Sequence, residues 1–277
     1  SINNYPRWGN KKEVNYMVVG RWVDNLIESQ RAFGADSGTL TLDLPRSNYL
    51  GSLILRVQNT NGATENTSVT ITDEIDKLEI VDDGTTVYSC DGYSARKVEH
   101  FDAGRLLPAD ETQVGSAVQH AIYWLKFGDA MNDTEFLLPA HRFSTLQLKI
   151  TYSFTDNANT GFATSETNAK LDLNGKYLVA PELVNTPFLK KILFYDTTHT
   201  STGWKTVDLP VGAGQNAYRR LYVDVYGANA LDDGTQVDKF EILINDQQRL
   251  MESRWTISQA EDLIRYGAIS DKALILS

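Results

Sequence analysis

Apolar and polar residues alternate with a period of two at many places along this chain, and that pattern restricts most of it to half-buried β-strands. Leu40, Leu42 and Leu44 alternate with Thr39, Thr41 and Asp43. Ala121, Tyr123, Leu125 and Phe127 alternate with His120, Ile122, Trp124 and Lys126, and Leu146, Leu148, Ile150 and Tyr152 alternate with Gln147, Lys149 and Thr151. Leu221, Val223 and Val225, then Phe240, Ile242 and Ile244, continue the pattern. Successive side chains of a strand point to opposite faces, so each run offers one face to a core and the other to solvent. Turn clusters separate the runs: Asn59 to Gly62, Asp82 to Gly84, Asp156 to Asn159 and Asp232 to Gly234. Short strands and turns at this spacing predict a β-sandwich or barrel, not βαβ units. Helical pattern is scarce. Asp91 to Phe101 reads as a short helix ended by Gly104, and Thr256 to Tyr266 as another ended by Gly267, with Ser258 and Glu261 at capping-box spacing. Val19 to Phe33 is a third helix candidate.

The strands recur in order. Thr41-Leu42-Asp43-Leu44-Pro45 returns as Thr206-Val207-Asp208-Leu209-Pro210, and Asp76-Lys77-Leu78-Glu79-Ile80 returns as Asp238-Lys239-Phe240-Glu241-Ile242. Gly104 returns as Gly267. The offsets, 206 − 41 = 165, 238 − 76 = 162 and 267 − 104 = 163, lie close to one diagonal, which indicates an internal duplication. Asp156 to Thr167, rich in Asn, Thr, Ser and Ala, reads as the linker between copies. By the same offset, the strands at 118–127 and 145–154 should recur beyond residue 277. Either the second copy is incomplete here, or strands around Lys176 to Val179 and Ala273 to Leu276 close it differently.

The carrying segment for a family likeness is Leu44-Pro45-Arg46-Ser47-Asn48-Tyr49-Leu50-Gly51-Ser52-Leu53-Ile54-Leu55-Arg56-Val57, an apolar-Pro turn leading into a strand. With Ile75 to Asp83 and the helix after it, residues 39–104 resemble the first jelly roll of the double jelly-roll major capsid proteins. These belong to tailless, icosahedral bacteriophages with an internal membrane, the corticovirus and tectivirus groups. The resemblance implies an all-β chain of two tandem antiparallel jelly-roll β-sandwiches with short helices. The divisions expected are an N-terminal arm over 1–38, a first jelly roll over 39–156, and a linker and second jelly roll over 157–277, which is incomplete at the C-terminus on one reading. The resemblance further implies a structural, non-enzymatic role in the virion after synthesis in the host cytoplasm. Two rolls per chain in a homotrimer make 3 × 2 = 6 pillars, a pseudo-hexagonal capsomer. Its implied partners are copies of itself, neighbouring trimers, other capsid or penton proteins and an internal viral membrane.

Composition removes other classes. The formal net charge of −10 repels phosphate, so direct nucleic-acid binding is not expected, and Lys11-Lys12 and Arg219-Arg220 read as solvated faces. Cys90 is the only cysteine, which precludes an intrachain disulfide and suits a reducing compartment. No run reaches a membrane-span length, and the polar Ser1 to Asn15 holds no signal-peptide core. His100, His120, His141 and His199 are too dispersed for a zinc motif. Gly212 to Ala217 superficially fits a dinucleotide loop, but a strand pattern follows it where a helix is needed. No cofactor is expected. Asp82-Asp83 and Asp232-Asp233 have the chemistry to ligate structural calcium, yet each precedes Gly and reads first as a turn. The competing reading is a tandem jelly-roll carbohydrate-binding module, which needs an exposed aromatic or Asp/Asn cluster. Trp8, Trp22, Trp124, Trp204 and Trp255 are scattered and read as core or interface anchors.

Overall fold

The computed structural model describes residues 20–103, 107–181, 184–197, 202–209, 220–223, 238–244, 248–254 and 257. Its strands are β1 (Arg21–Ala32), β2 (Ser37–Asp43), β3 (Tyr49–Thr60), β4 (Lys77–Asp82), β5 (Thr85–Cys90), β6 (Ala109–Asp110), β7 (Val118–Lys126), β8 (Leu146–Ser153), β9 (Lys170–Val179) and β10 (Lys191–Ile192). Farther along come β11 (Lys239–Ile244) and β12 (Gln248–Arg254). Helical elements among the described residues include α1 (Gly92–Ala103), the one-turn α2 (Ser165–Asn168) and a 3-10 turn over Ala140–Arg142.

Ten of these strands form two facing five-stranded sheets, in the order β1-β9-β3-β7-β6 and β10-β5-β4-β8-β2. The chain crosses between sheets at β1→β2, β2→β3, β3→β4, β5→β6, β7→β8, β8→β9 and β9→β10, while β4–β5 and β6–β7 each stay within one sheet. Removing the short β6 and β10 leaves β1-β9-β3-β7 packed on β5-β4-β8-β2. Two four-stranded sheets wound in this way are the eight-stranded jelly roll. The alternation read from the sequence aims the core. Leu53, Leu55 and Val57 of β3 are fully buried, with Ile54, Arg56 and Gln58 half-buried on the other face. Leu146, Leu148, Ile150 and Tyr152 of β8 meet them from the opposite sheet in one continuous cluster.

Three expectations are corrected. The helix expected over Val19 to Phe33 gives way, among the described residues, to the edge strand β1, Arg21–Ala32, paired antiparallel with β9. Its period of two is broken by register shifts at Leu26/Glu28 and Glu28/Arg31, and an interrupted period resembles a helical one. At the second shift Gln30 takes φ 50, and its displaced N–H donates to Asp172 Oδ1 at 2.8 Å. Asp156 to Thr167 is not an open linker but the β8–β9 connection. Phe162 plugs it into the core, and Asn157 Oδ1 receives the backbone N–H groups of Asn159 and Thr160 in a tight Asn turn. Lys176 to Val179 belongs to the first jelly roll, because β9 lies between β1 and β3. The first roll therefore takes in Arg21–Ala32 and Lys170–Val179, both outside the expected 39–156. Pairings across more than a hundred residues leave no local mark in a sequence.

The described parts of the second half bear on the duplication. Lys77 opens the six-residue β4, which pairs with β5; Lys239 opens the six-residue β11, which pairs antiparallel with β12. A helix follows the first hairpin, and Ile257, three residues after β12, is also helical. In both halves Asp-Lys-x-Glu-Ile thus begins an antiparallel hairpin. Thr206 to Leu209, by contrast, is not a strand where Thr41–Asp43 is. Gly104, Gly267 and Ala273 to Leu276 lie outside the described residues.

Candidate functional site

The chemistry of this fold concentrates beside α1, on the side of the sandwich where β7 and β5 are capped by β6 and β10. Asp91 starts the helix: its carboxylate receives the Ser94 N–H at 2.6 Å, and its carbonyl the Ala95 N–H at 2.9 Å. The Gly92 N–H donates to Ile75 O at 2.9 Å, and a Cβ there would lie 2.9 Å from that of Ile75, so the close approach requires glycine. So anchored, α1 packs over β7 and covers what strand periodicity marks as its outer face. Trp124 and Lys126 are consequently buried there, and Lys126 Nζ stands 4.7 Å from the Trp124 ring centroid.

Beneath the helix, two acids and two lysines form a closed set. Lys191 Nζ lies 2.5 Å from Glu99 Oε1 and 2.8 Å from Asp102 Oδ2. Lys126 Nζ lies 3.3 Å from Glu99 Oε2 and 3.8 Å from Asp102 Oδ2. The four side chains are 0–8% exposed, with two charges of each sign. From the C-terminal half, the Arg220 guanidinium pairs with Asp102 Oδ1, and the Tyr222 hydroxyl donates to the same oxygen at 2.6 Å. Burial pushes the Glu99 carboxyl upward against the pull of Lys191 and Lys126. Burial would also raise Asp102, but Lys191, Tyr222 and Lys126 outweigh it and hold that carboxyl low. For Lys191, desolvation is outweighed by Glu99 and Asp102, and its ammonium is held up. The set ties α1, β7, β10 and residues 220–222 together. The residues next in sequence to Lys191, Arg220 and Tyr222 include exposed apolar side chains: Ile192, Leu193, Phe194, Tyr195, Leu221 and Val223.

None of these four residues carries a site signature in the sequence. The available signal was Ile122 and Trp124 on the nominally polar face of β7, which shows that something covers that face. The residues singled out from sequence lie apart. Cys90 is buried, and desolvation first, then Asp91, pushes its thiol to about 12, so it does not supply a thiolate. Asp83 and Gly84 form the two-residue turn of the β4–β5 hairpin with φ 39 and 87. The Asp83 carboxylate accepts from Ser144 Oγ at 2.6 Å and Thr145 N at 2.6 Å, which hold its carboxyl down at about 2. His100 is in α1, His120 in β7 and His141 beside the Tyr49 ring; His199 lies outside the described residues. Among the described residues, no three His, Cys, Asp or Glu side chains come together as a metal site. Trp22 packs on Gly51 and Trp124 under α1, while Trp204 is exposed with Lys239 Nζ 5.5 Å from its ring. An open groove of about 660 Å³ runs from Asn25–Ile27 to Asp43–Arg46, with no aromatic ring in its lining. Gly212 to Ala217, Asp232-Asp233, Lys11-Lys12, Arg219, Trp8 and Trp255 lie outside the described residues.

No protein-family model matches the sequence, and no curated protein matches it. Among solved structures, the chain is similar to the STIV major capsid protein, with a TM-score of 0.43 and 14% identity over 57% of this chain and 48% of that one. It is similar to a chain of the atomic structure of Sulfolobus Turreted Icosahedral Virus, with TM-score 0.43 and 15% identity over 57% of this chain and 45% of that one. It is also similar to PBCV-1 VP54, fitted into a reconstruction of the virophage Sputnik, with TM-score 0.41 and 12% identity over 60% and 44% of the two chains. The matched part spans less than half the length of each of these chains.

Proposed function

We propose that the chain is a structural viral major capsid protein, a double jelly roll that forms pseudo-hexagonal homotrimeric capsomers of an icosahedral shell. One observation carries this reading: a complete jelly roll over Arg21–Val179 is followed by a second Asp-Lys-x-Glu-Ile hairpin, displaced by 239 − 77 = 162 residues. A single roll is shared by capsid, lectin and cupin proteins, so fold alone does not choose among them. A tandem repeat suits the capsid reading, because two similar pillars per chain let a threefold assembly approximate a hexagon and tile a shell, and the groove beside Asn25–Ile27 lacks the aromatic ring that a tandem carbohydrate-binding module would offer. The resemblance around Leu44 to Val57 extends the proposal to a tailless bacteriophage of corticovirus or tectivirus type, with an internal membrane, penton proteins and neighbouring trimers as partners. No catalysis is assigned to the chain in this role.

The test is the native mass and shape of the purified protein. Light scattering is expected to give 3 × 31.0 = 93 kDa at low and high salt alike, and negative-stain images hexagonal tiles with six towers. A monomer at all salt concentrations overturns the proposal. Binding to a glycan array by such a monomer would favour the carbohydrate-binding reading instead.

A further inference from the structure

Lys191 Nζ is in contact with two carboxylates at once, inside a region that solvent barely reaches. Glu99 is fully buried, and its Oε2, which faces Lys126 Nζ at 3.3 Å, accepts no hydrogen bond. Its Oε1 is 2.5 Å from Lys191 Nζ, and the Asp102 carboxylate approaches the same nitrogen at 2.8 Å. An amine, an acid and a second carboxylate able to move protons are thereby held together without bulk water between them.

We propose that Lys191 and Glu99 condense into an intramolecular amide, an isopeptide bond, with Asp102 as the proton carrier. The bond that forms joins Lys191 Nζ to Glu99 Cδ, and the bond that breaks is one Cδ–O bond of Glu99. The nitrogen gives up two protons. Asp102 accepts each in turn and passes it to the departing oxygen, which leaves as one water molecule, so Asp102 ends as the carboxylate it began. No oxidant, metal or cofactor enters the balance, and the reaction occurs once per chain. Three physical features favour it. Contact between the reacting groups removes most of the entropic barrier that separates them in solution. Condensation removes one positive and one negative charge from a desolvated site where ions are costly. Burial favours the neutral acid form of Glu99, and Lys191, Tyr222 and Lys126 keep Asp102 ionised. The Lys191 ammonium, held up by the same two acids, must give its first proton to Asp102 before the nitrogen can attack, which makes that transfer the slow step. Lys126, Arg220 and Tyr222 remain around Asp102 afterwards, so no charge is stranded. The product would staple α1 to β10, where the chain leaves the first jelly roll. The inference does not depend on the capsid reading.

Intact mass spectrometry of the full, denatured wild-type chain is expected to give the sequence mass less one water. Proteolysis should then yield a branched peptide joining the fragment that contains Glu99 to the one that contains Lys191. A mass equal to that of the sequence overturns the proposal. So does a water loss that fragment ions assign to a succinimide at Asp83-Gly84, Asp91-Gly92 or Asp233-Gly234. Lys191→Arg should restore the full mass, and Asp102→Asn should slow the loss measured from freshly refolded protein. A water loss unchanged in rate in Asp102→Asn would overturn the proton-carrier role.

Discussion

At the scale of single residues, stability rests on a few positions with no spare room. Leu55 is fully buried where the two sheets meet, so Leu55→Ala should cost about 2–5 kcal/mol by loss of burial and the cavity left behind, read as a lower urea midpoint. Gly51 lacks a side chain because the Trp22 ring occupies the space: a Cβ there would sit 2.7 Å from a ring carbon. Gly51→Ala should therefore cost about 1–3 kcal/mol, and part of that loss should be recovered when it is combined with Trp22→Leu. Asp83 tests the electrostatics of the hairpin. Its folded carboxyl, at about 2, lies below the unfolded 3.8 because the Ser144 hydroxyl and the Ser144 and Thr145 N–H groups donate to it. A lowered acid stabilises above its unfolded value and loses that contribution as the pH falls through the folded one. The difference in thermal midpoint between wild type and Asp83→Ala should accordingly be full at pH 7 and shrink between pH 3.8 and about 2. A pH-independent difference would show that the turn geometry alone matters.

At the scale of elements, the β4–β5 hairpin and α1 show local and tertiary control side by side. The hairpin was legible, since Asp83-Gly84 between alternating strands is a two-residue turn, and both residues do take positive φ. Gly84→Ala should destabilise the chain by about 1–2 kcal/mol through the left-handed backbone alone, with little change in the protein's circular dichroism below its melting point. The start of α1 was legible as well, from Asp91 and the apolar residues behind it. What the helix covers was not. Lys126 alternates as a solvent-facing residue, but α1, carrying Glu99 and Asp102, lies over it. In a Lys191→Arg background, where Glu99 and Asp102 both stay ionisable, Lys126→Met removes one of the buried cations beside them and should cost about 3–5 kcal/mol, with amide exchange rising first in α1. β1 failed in the other direction, because two bulges disguised a strand as a helix.

At the scale of the whole molecule, docking between the halves runs through Asp102, which Arg220 and Tyr222 reach from beyond the first jelly roll. Arg220→Ala combined with Tyr222→Phe should leave the melting of the first roll nearly unchanged while speeding proteolysis in the second half; equal protease resistance would show that other contacts hold it. The all-β class, the turns, the core faces of β2, β3, β7 and β8, and the recurrence of Asp-Lys-x-Glu-Ile are all properties of neighbours in the chain. Side-chain alternation and turn chemistry act over a few residues, so the order of amino acids alone determined them. Tertiary structure decided the rest: that β9 enters between β1 and β3, that Phe162 makes a core plug of an apparent linker, and that four charges gather under one helix. Those outcomes depend on which distant surfaces bury one another. That choice is made by the free energy of the whole packed chain, and no short stretch of sequence records it.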